Sequence, residues 1–182
     1  MAEPAALPTL TTPRLVLRAP RHDDAVAIAD LANDLGVARM VTSMPHPFPV
    51  GGAESFVKKQ LGSFNARHAL FALATPKDTF MGVLGFDPPR PDAACQHGVE
   101  IGYWLGRPFW GQGLMTEAVR AALAWAAGDW GRRVVVGGHF ADNPGSGAVL
   151  IKAGFLYTGD VLTVASKARD EPAAMRRMVW LA

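Results

Sequence analysis

The chain has 182 residues, of which 49% are hydrophobic and 19% are charged. This length and composition predict one folded domain with a substantial core and argue against intrinsic disorder. The formal net charge is only +2, and no dense run of lysine and arginine is present. The sequence therefore argues against a nucleic-acid-binding protein.

Elements of the first half are predicted from apolar periodicity and from turn residues. His22, Asp23 and Asp24 can cap a helix that ends at Gly36. Its apolar positions are Val26, Ile28, Leu31 and Leu35. The predicted elements are a loose lead-in at 1–11, a strand at 14–19, helices at about 23–35 and 53–64, and hairpin strands at 69–74 and 79–86.

The second half adds a helix at 114–127 that is apolar almost all round and is therefore expected to be largely buried. The alternating order of strands and helices predicts an α/β (α+β) domain, a mixed sheet with helices on its faces. The other predicted elements are a loop at 87–96, strands at 97–105, 134–140, 155–166 and 174–181, and a short helix at 145–153.

Cysteine usage and the N-terminus bear on the cellular compartment. The single cysteine, Cys95, cannot form an internal disulfide, which is typical of a reducing compartment. The first residues lack the basic, apolar and small-residue order of a signal peptide. No stretch approaches the ~18 apolar residues of a membrane span. We therefore expect a cytoplasmic protein with no membrane partner.

A Gly-x-Gly turn at Gly111 and Gly113 leads from a predicted strand directly into the buried helix. The first N–H groups of a helix have no internal partner and concentrate positive charge, so this turn can form an anion site. Glycine also lets the backbone approach a bulky phosphate. No Gly-Lys-Ser/Thr follows, which excludes a P-loop, and Thr116 stands where a dinucleotide fingerprint needs its third glycine. A turn that merely requires glycine is the alternative.

The stretch Trp110-Gly111-Gln112-Gly113-Leu114-Met115-Thr116-Glu117-Ala118 resembles the pyrophosphate loop of the GNAT acetyltransferases, Gln/Arg-x-x-Gly-x-Gly/Ala. It is most similar to the RimJ/RimL-like branch, in which the first position is often Trp and Thr/Ser-Glu-Ala follows. Gly113 takes the central glycine, and Met115 replaces the usual Gly or Ala. Two further blocks resemble the same branch, Thr12 to Arg18 with Asp23 to Ala25, and Asn143-Pro144-Gly145-Ser146 through Lys152-Ala153-Gly154-Phe155.

The resemblance implies a single GNAT-like domain over 1–182, with a mixed, mostly antiparallel twisted sheet of about seven strands and about four helices. It implies acetyl-CoA as cosubstrate and no metal, with the pantetheine hydrogen-bonded to a strand that splays from its neighbour near Leu105. The implied acetyl-CoA-binding residues are Trp104, Leu105, Trp110, Gly111, Gln112, Gly113, Leu114, Met115, Thr116, Asn143 and Ser146. For Asn143, turn chemistry before proline is the alternative.

The implied reaction is direct attack of a primary amine on the thioester carbonyl. Deprotonating an α-amine with a pKa of ~7.7–8.0 costs about 1 kcal/mol at pH 7, whereas a lysine amine costs about 4.6 kcal/mol. A protein or peptide N-terminus, or a small weakly basic amine, therefore needs only a modest base. A CoA-binding sensor or structural protein that does not catalyse is the alternative function.

Two residues are candidates for catalysis. Glu100 interrupts an apolar strand between Val99 and Ile101 and is the candidate base, the alternative being a solvated or arginine-paired carboxylate. Ser146 is the candidate acid, because Leu150 stands where many of these enzymes carry a tyrosine. The alternative for Ser146 is an ordinary serine at a helix start.

The acceptor site and the oligomeric state have weaker signals. His139, late on the fifth predicted strand, and His46 and Phe48, in the proline-rich segment, are candidate acceptor-binding residues. A packing histidine and a rigid connector are the respective alternatives. The apolar C-terminal segment at 178–181 fits either the core or a homodimer interface.

Overall fold

The computed structural model describes residues 6–90 and 98–182, which form an eight-stranded sheet with five α-helices. The helices are α1 (Asp24–Ala32), α2 (Leu35–Ala38), α3 (Gly52–Gln60), α4 (Leu114–Gly128) and α5 (Pro144–Lys152). The strands are β1 (Leu10–Thr11), β2 (Val16–Arg18), β3 (Ala69–Ala74), β4 (Phe80–Asp87), β5 (Val99–Leu105), β6 (Val134–Phe140), β7 (Leu156–Val164) and β8 (Ala173–Leu181).

The sheet order is β1-β2-β3-β4-β5-β6-β8-β7, and among these described strands only β5 and β6 pair in parallel. The predicted mixed, mostly antiparallel sheet is therefore confirmed, with one more strand and one more helix than expected. The extra strand arises in the predicted lead-in, because Leu10 and Thr11 pair with β2. Residues 1–5 of that lead-in lie outside the described residues.

Both faces of the sheet are covered, which explains why β3 and β4 are almost continuously apolar. On one face, α4 packs through Trp125, which stacks on Trp130 at 5.1 Å and meets Phe71 edge-on at 5.3 Å. On the other face, α1 and α3 bury Ile28 and Val57. The largely buried α4 that the sequence predicts is confirmed.

Strands β5 and β6 pair only at their beginnings. The two pairs are Val99 with Val135 and Glu100 with Val136. Beyond Glu100, β5 continues along β4 and β6 continues along β8, so the two parallel strands separate. The predicted splay near Leu105 is confirmed, and the split opens between the strands that precede α4 and α5.

The predicted first helix is in fact two helices. The first helix, α1, ends at Ala32. The Asp34 side chain then accepts hydrogen bonds from the N–H groups of Gly36 and Val37 and so caps the start of α2. Gly36 therefore lies inside a helix and does not end one. Two predicted apolar positions are wrong, because Val26 is 80% exposed and Leu35 is 50% exposed.

Several predicted boundaries also shift. The strand predicted at 14–19 is β2, which spans only Val16–Arg18, and α3 ends at Gln60 rather than residue 64. The predicted start of a strand at His97, most of the predicted loop at 87–96, and Cys95 lie outside the described residues.

A buried ion pair joins β2 to α1. The Arg18 guanidinium donates to both carboxylate oxygens of Asp24, at 2.9 and 2.7 Å, and each residue is only 4% exposed. Asp24 also accepts the N–H of Arg21 at 2.7 Å, and Arg18 also donates to Asp78. The hydrogen bond to Asp24 raises the pKa of Arg18.

Candidate active site

The glycine turn leaves the beginning of α4 open. Gly111 and Gly113 both have a φ of +74°, and Gly113 is the N-cap of α4. This left-handed conformation favours glycine. A Cβ at Gly111 would meet nothing within 4 Å, and one at Gly113 would meet only Arg14 Nη2 at 3.7 Å. The glycines therefore leave room beside the first N–H groups of α4, which lack partners in the helix.

The side chains that follow the turn point into the protein. Leu114 and Met115 are buried in the core cluster beneath α4, so the methionine that replaces the usual small residue does not fill the turn. Thr116 is half-buried and lines the cavity beside the turn. The sequence predicted these positions as part of the loop, and the structure brings them together at the N-terminus of one helix.

Hydrogen bonds hold the turn from both sides. Trp110 Nε1 donates to the Leu105 carbonyl at 2.7 Å, and Gln112 Nε2 donates to the Pro108 carbonyl at 3.0 Å. Arg14 Nη1 donates to the carbonyl of Gln112 at 2.8 Å. The turn is thus tied to the end of β5 and to the segment before β2.

Glu117 fixes the start of the chain against α4. Its carboxylate accepts Thr12 Oγ1 at 2.7 Å, the Arg14 N–H at 3.0 Å and Arg14 Nε at 2.7 Å. Burial opposes the ionised form, but these hydrogen bonds prevail and lower the pKa of Glu117. The Thr-Glu-Ala signature thus has a structural role, which is to hold Arg14 beside the glycine turn.

A cavity of about 510 Å³ lies beside the turn. Three cationic side chains and one carboxylate border it, next to the positive end of α4, so its electrostatics favour an anion. Arg120 also donates to the Lys152 carbonyl and joins α4 to the end of α5. The lining residues are Thr11, Thr12, Pro13, Arg14, Gly113, Thr116, Glu117, Arg120 and Lys152.

Ser146 lies in the first turn of α5, on the other side of the split. Asn143 is the N-cap of this helix, and its Oδ1 accepts the Ser146 N–H at 3.1 Å. The Ser146 hydroxyl lies 2.9 Å from the hydroxyl of Tyr103, a β5 residue beyond the last β5–β6 pair. Burial raises the pKa of Tyr103. The sequence analysis missed Tyr103, although strand alternation puts it on the same face as Ile101.

Glu100 lies at the last β5–β6 pair and is held by arginines. Its Oε1 accepts Arg177 Nη1 at 2.7 Å and lies 3.4 Å from Arg90 Nε, and its Oε2 accepts the Arg90 N–H at 3.2 Å. Arg177 is buried. Alternation along β5 directs Glu100 and Tyr103 to opposite faces of the sheet. The two candidate catalytic residues, Glu100 and Ser146, are therefore not neighbours on one face.

His139 is buried, and both of its ring nitrogens have partners. Nδ1 lies 2.8 Å from the Phe140 carbonyl, and Nε2 lies 2.9 Å from the Tyr157 hydroxyl. A Cβ at Gly147 would lie 2.8 Å from the ring, so His139 packs directly beneath α5. This arrangement is that of a satisfied packing residue.

His46 and Phe48 follow α2 and are half-buried. The N–H of Phe48 donates to Asn33 Oδ1 at 2.9 Å. Its ring and that of Trp104 pack against the same two apolar clusters under α1 to α3. Phe48 and Trp104 therefore lie on the sheet face opposite α4, the face to which Glu100 points.

Ion pairs tie the surrounding loops together. Arg107 donates to both oxygens of Asp34, at 2.6 and 2.7 Å, and its guanidinium lies 5.3 Å from the Trp110 ring centroid. The hydrogen bond from Arg107 lowers the pKa of Asp34 to about 2. Arg169, before β8, donates to both oxygens of Asp142, next to Asn143. The α2 segment is thus connected to the glycine turn, and the loop before β8 to α5.

Within residues 6–90 and 98–182, no group of three or more histidine, cysteine, aspartate or glutamate side chains could hold a metal ion. No helix in the same ranges is long and apolar enough to cross a membrane.

The chain is similar in sequence to known proteins. The sequence model of the acetyltransferase (GNAT) domain matches residues 14–156. The chain is 32% identical over 83 residues to the ribosomal-protein-serine acetyltransferase of Escherichia coli K12, a match that covers 46% of this chain and 45% of that relative. It is 28% identical over 174 residues to the uS5-alanine N-acetyltransferase of the same organism, a match that covers 88% of this chain and 86% of that relative.

A solved structure shares the fold. The ribosomal L7/L12 α-N-protein acetyltransferase RimL, in complex with coenzyme A, superposes with a TM-score of 0.77 at 21% identity, covering 96% of this chain and 98% of that one. The family match spans both sides of the split and the glycine turn. The chain therefore belongs to the GNAT acetyltransferase family, and its relatives are those of the RimJ/RimL-like branch.

Proposed function

We propose that this chain transfers the acetyl group of acetyl-CoA either to the α-amine of a protein or peptide N-terminus or to a small amine. Membership of the family makes it an N-acetyltransferase, so the proposal concerns the acceptor and the residues. The observation that carries the proposal is the split between β5 and β6, which opens beside the anion site at Gly113.

The glycine turn and the split together suit a long, phosphate-bearing thioester. We infer that the N–H groups after Gly113 bind the pyrophosphate, and that Arg14, Arg120 and Lys152 attract the other phosphate. Beyond Glu100, the edge of β5 that faces away from β4 can hydrogen-bond an extended pantetheine as an added strand would, through the Leu105 N–H. The backbone groups of Trp104 face β4 instead, because backbone groups alternate along an antiparallel strand and the Gly106 N–H donates to Met81. Trp110 and Gln112 hold the turn in shape for this ligand, and Asn143 caps the helix that carries Ser146.

The acceptor enters from the opposite face in this proposal. His46 and Phe48 line its entrance, and His139 supports the base of α5 from below. A peptide N-terminus is favoured over a lysine side chain because its amine costs about 1 rather than about 4.6 kcal/mol to deprotonate at pH 7. The two E. coli relatives are named for acetylation of ribosomal proteins, which makes peptides with N-terminal serine or alanine the first acceptors to test.

Ser146 is proposed to donate a hydrogen bond to the departing thiolate. Replacing it with alanine should lower kcat about 10- to 100-fold, because one donor to developing charge is removed. The KM for acetyl-CoA should change less than about 3-fold. Thiol release from acetyl-CoA, followed with Ser- and Ala-initiated peptides and with spermidine, measures both constants. Wild-type protein that binds CoA but acetylates none of these amines would favour the non-catalytic alternative.

Glu100 is proposed to accept the ammonium proton through water. Its Oε2 accepts the Arg90 N–H, and a carboxylate oxygen can accept a second hydrogen bond. Glu100→Gln should lower kcat at least about 10-fold at pH 7 and much less at pH 9, where an α-amine is already neutral. Equal kcat values for variant and wild type at both pH values, with a lowered Tm, would assign Glu100 to its ion pair alone.

A cytoplasmic location is inferred from the single cysteine, and a homodimer is inferred from exposed apolar side chains near the sheet edge. Leu156, Val161 and Leu181 are exposed, whereas Met178 is buried in the core. The C-terminal segment therefore serves mainly as core, and only its last apolar residue and β7 are available to a second copy.

A further inference from the structure

The Tyr103 side chain bridges the split between β5 and β6. Tyr103 lies on β5 beyond the last β5–β6 pair, at Glu100, and its ring packs against the core cluster under α4. Its hydroxyl lies 2.9 Å from Ser146 Oγ and 3.2 Å from the Ser146 carbonyl oxygen. One phenol therefore connects the separated strand β5 to the first turn of α5.

The direction of this hydrogen bond decides where the Ser146 proton points. Each hydroxyl donates one hydrogen bond and accepts two. The Ser146 carbonyl is the more distant acceptor and already receives a helical N–H four residues on. Burial raises the pKa of Tyr103, so the phenol keeps its proton at neutral pH, and a phenol is a stronger donor than an aliphatic hydroxyl. Tyr103 therefore donates to Ser146 Oγ.

We propose that Tyr103 is a positioning residue, which orients the Ser146 hydroxyl as a hydrogen-bond donor to the sulfur that departs from the thioester. The inference rests on the proposed function. When the phenol proton occupies one lone pair of Ser146 Oγ, the serine proton turns away from Tyr103. It is then available on the open side of the split, between β5 and α5.

Hydrogen bonding is sufficient for this role, and no proton needs to leave Ser146. In the reaction the amine nitrogen forms the new C–N bond, the C–S bond breaks, and its electron pair goes to sulfur. An ordinary thiol has a pKa of ~8.5, far below that of an alcohol, so the sulfur can depart as a thiolate that Ser146 stabilises. The amine proton leaves through the base, and solvent protonates the thiolate afterwards.

The first test is a double-mutant cycle on turnover. Tyr103→Phe keeps the ring and removes the hydroxyl, and it should lower kcat about 10-fold with KM for acetyl-CoA changed less than about 2-fold. In a Ser146→Ala background the same change should cost less than about 2-fold, because Tyr103 acts only through Ser146. Losses that multiply in the double variant would overturn the inference and assign Tyr103 to packing.

The second test needs no acceptor. In a Cys95→Ser background, CoA contributes the only thiol, and the pH dependence of its alkylation in the complex reports the pKa of the bound thiol. Tyr103→Phe should raise that pKa, as should Ser146→Ala. The inference fails if the bound thiol has the same pKa in the variants and in the Cys95→Ser parent. Absence of CoA binding in that parent would instead contradict the proposed function, and the inference with it.

Discussion

Replacing Gly113 with leucine is expected to weaken the binding of acetyl-CoA and CoA at least about 100-fold, which corresponds to ~2.7 kcal/mol. Gly113 is the N-cap of α4 with a φ of +74°, and its missing Cβ would point into open space beside the helix N-terminus. A leucine side chain there covers the N–H groups that are proposed to bind the pyrophosphate. Calorimetric titration of the purified proteins with both ligands measures the change.

Gly131→Leu is the matched control. Gly131 has a φ of +70°, and a Cβ there meets nothing within 4 Å, whereas one at Gly113 meets only Arg14 Nη2 at 3.7 Å. We therefore expect a similar backbone strain of ~1–2 kcal/mol in both variants. Gly131 follows the C-terminal end of α4, whereas the glycine turn precedes its N-terminal end. Both variants should lose similar stability, and only Gly113→Leu should lose CoA affinity. Equal affinity in the two variants would show that the ligand does not use this turn.

Replacing Asp24 with asparagine is expected to destabilise the protein by ~3–5 kcal/mol, because it leaves the buried Arg18 guanidinium without its main counter-charge. Asp24 accepts two hydrogen bonds from Arg18 and one from the Arg21 N–H, in a site that is 4% exposed. For a chain of this length the Tm should fall by roughly 10 °C. Thermal and denaturant unfolding measure both quantities.

Asp23→Asn is the control, because it makes the same chemical change one residue earlier. Asp23 is exposed, and its side chain makes no capping hydrogen bond to α1. Its loss should cost less than about 0.5 kcal/mol. A similar loss of stability in both variants would mean that general charge at the start of α1 matters, rather than the buried pair. Asp78 also contacts Arg18, but its side chain is largely exposed, so we expect it not to compensate for the lost charge of Asp24.

Local patterns were sufficient to predict α4, the hairpin of β3 and β4, and the glycine turn. The apolar periodicity of α4 extends over four turns, and the positive φ of Gly111 and Gly113 is a conformation that glycine adopts at little cost. The predicted boundary at Gly36 was wrong for an equally local reason. A side-chain cap from Asp34 starts a helix there, and the propensity of glycine to end one is overcome.

The proposed catalytic arrangement depends on contacts between residues far apart in the chain. Tyr103 meets Ser146 across 43 positions, and Glu100 meets Arg177 across 77. No periodicity predicts such pairs, because each partner is chosen by the sheet order and by the face that strand alternation assigns to it. The sequence alone could suggest a serine and a glutamate for catalysis, and the fold placed them on different faces.

The amino-acid sequence by itself therefore determined the family, the glycine turn and most of the helices and strands, since these depend on residues that are neighbours in the chain. Its tertiary structure assigns the partners of each polar group, including the Arg18–Asp24 pair, the enclosed His139 and the Tyr103–Ser146 contact. The Tyr103–Ser146 contact and the enclosure of His139 form only when α5 packs beside the split between β5 and β6, whereas the Arg18–Asp24 pair forms when α1 packs against β2. Because these groups are buried, each of those hydrogen bonds contributes to the free energy of unfolding, since an unpaired polar group there would be costly.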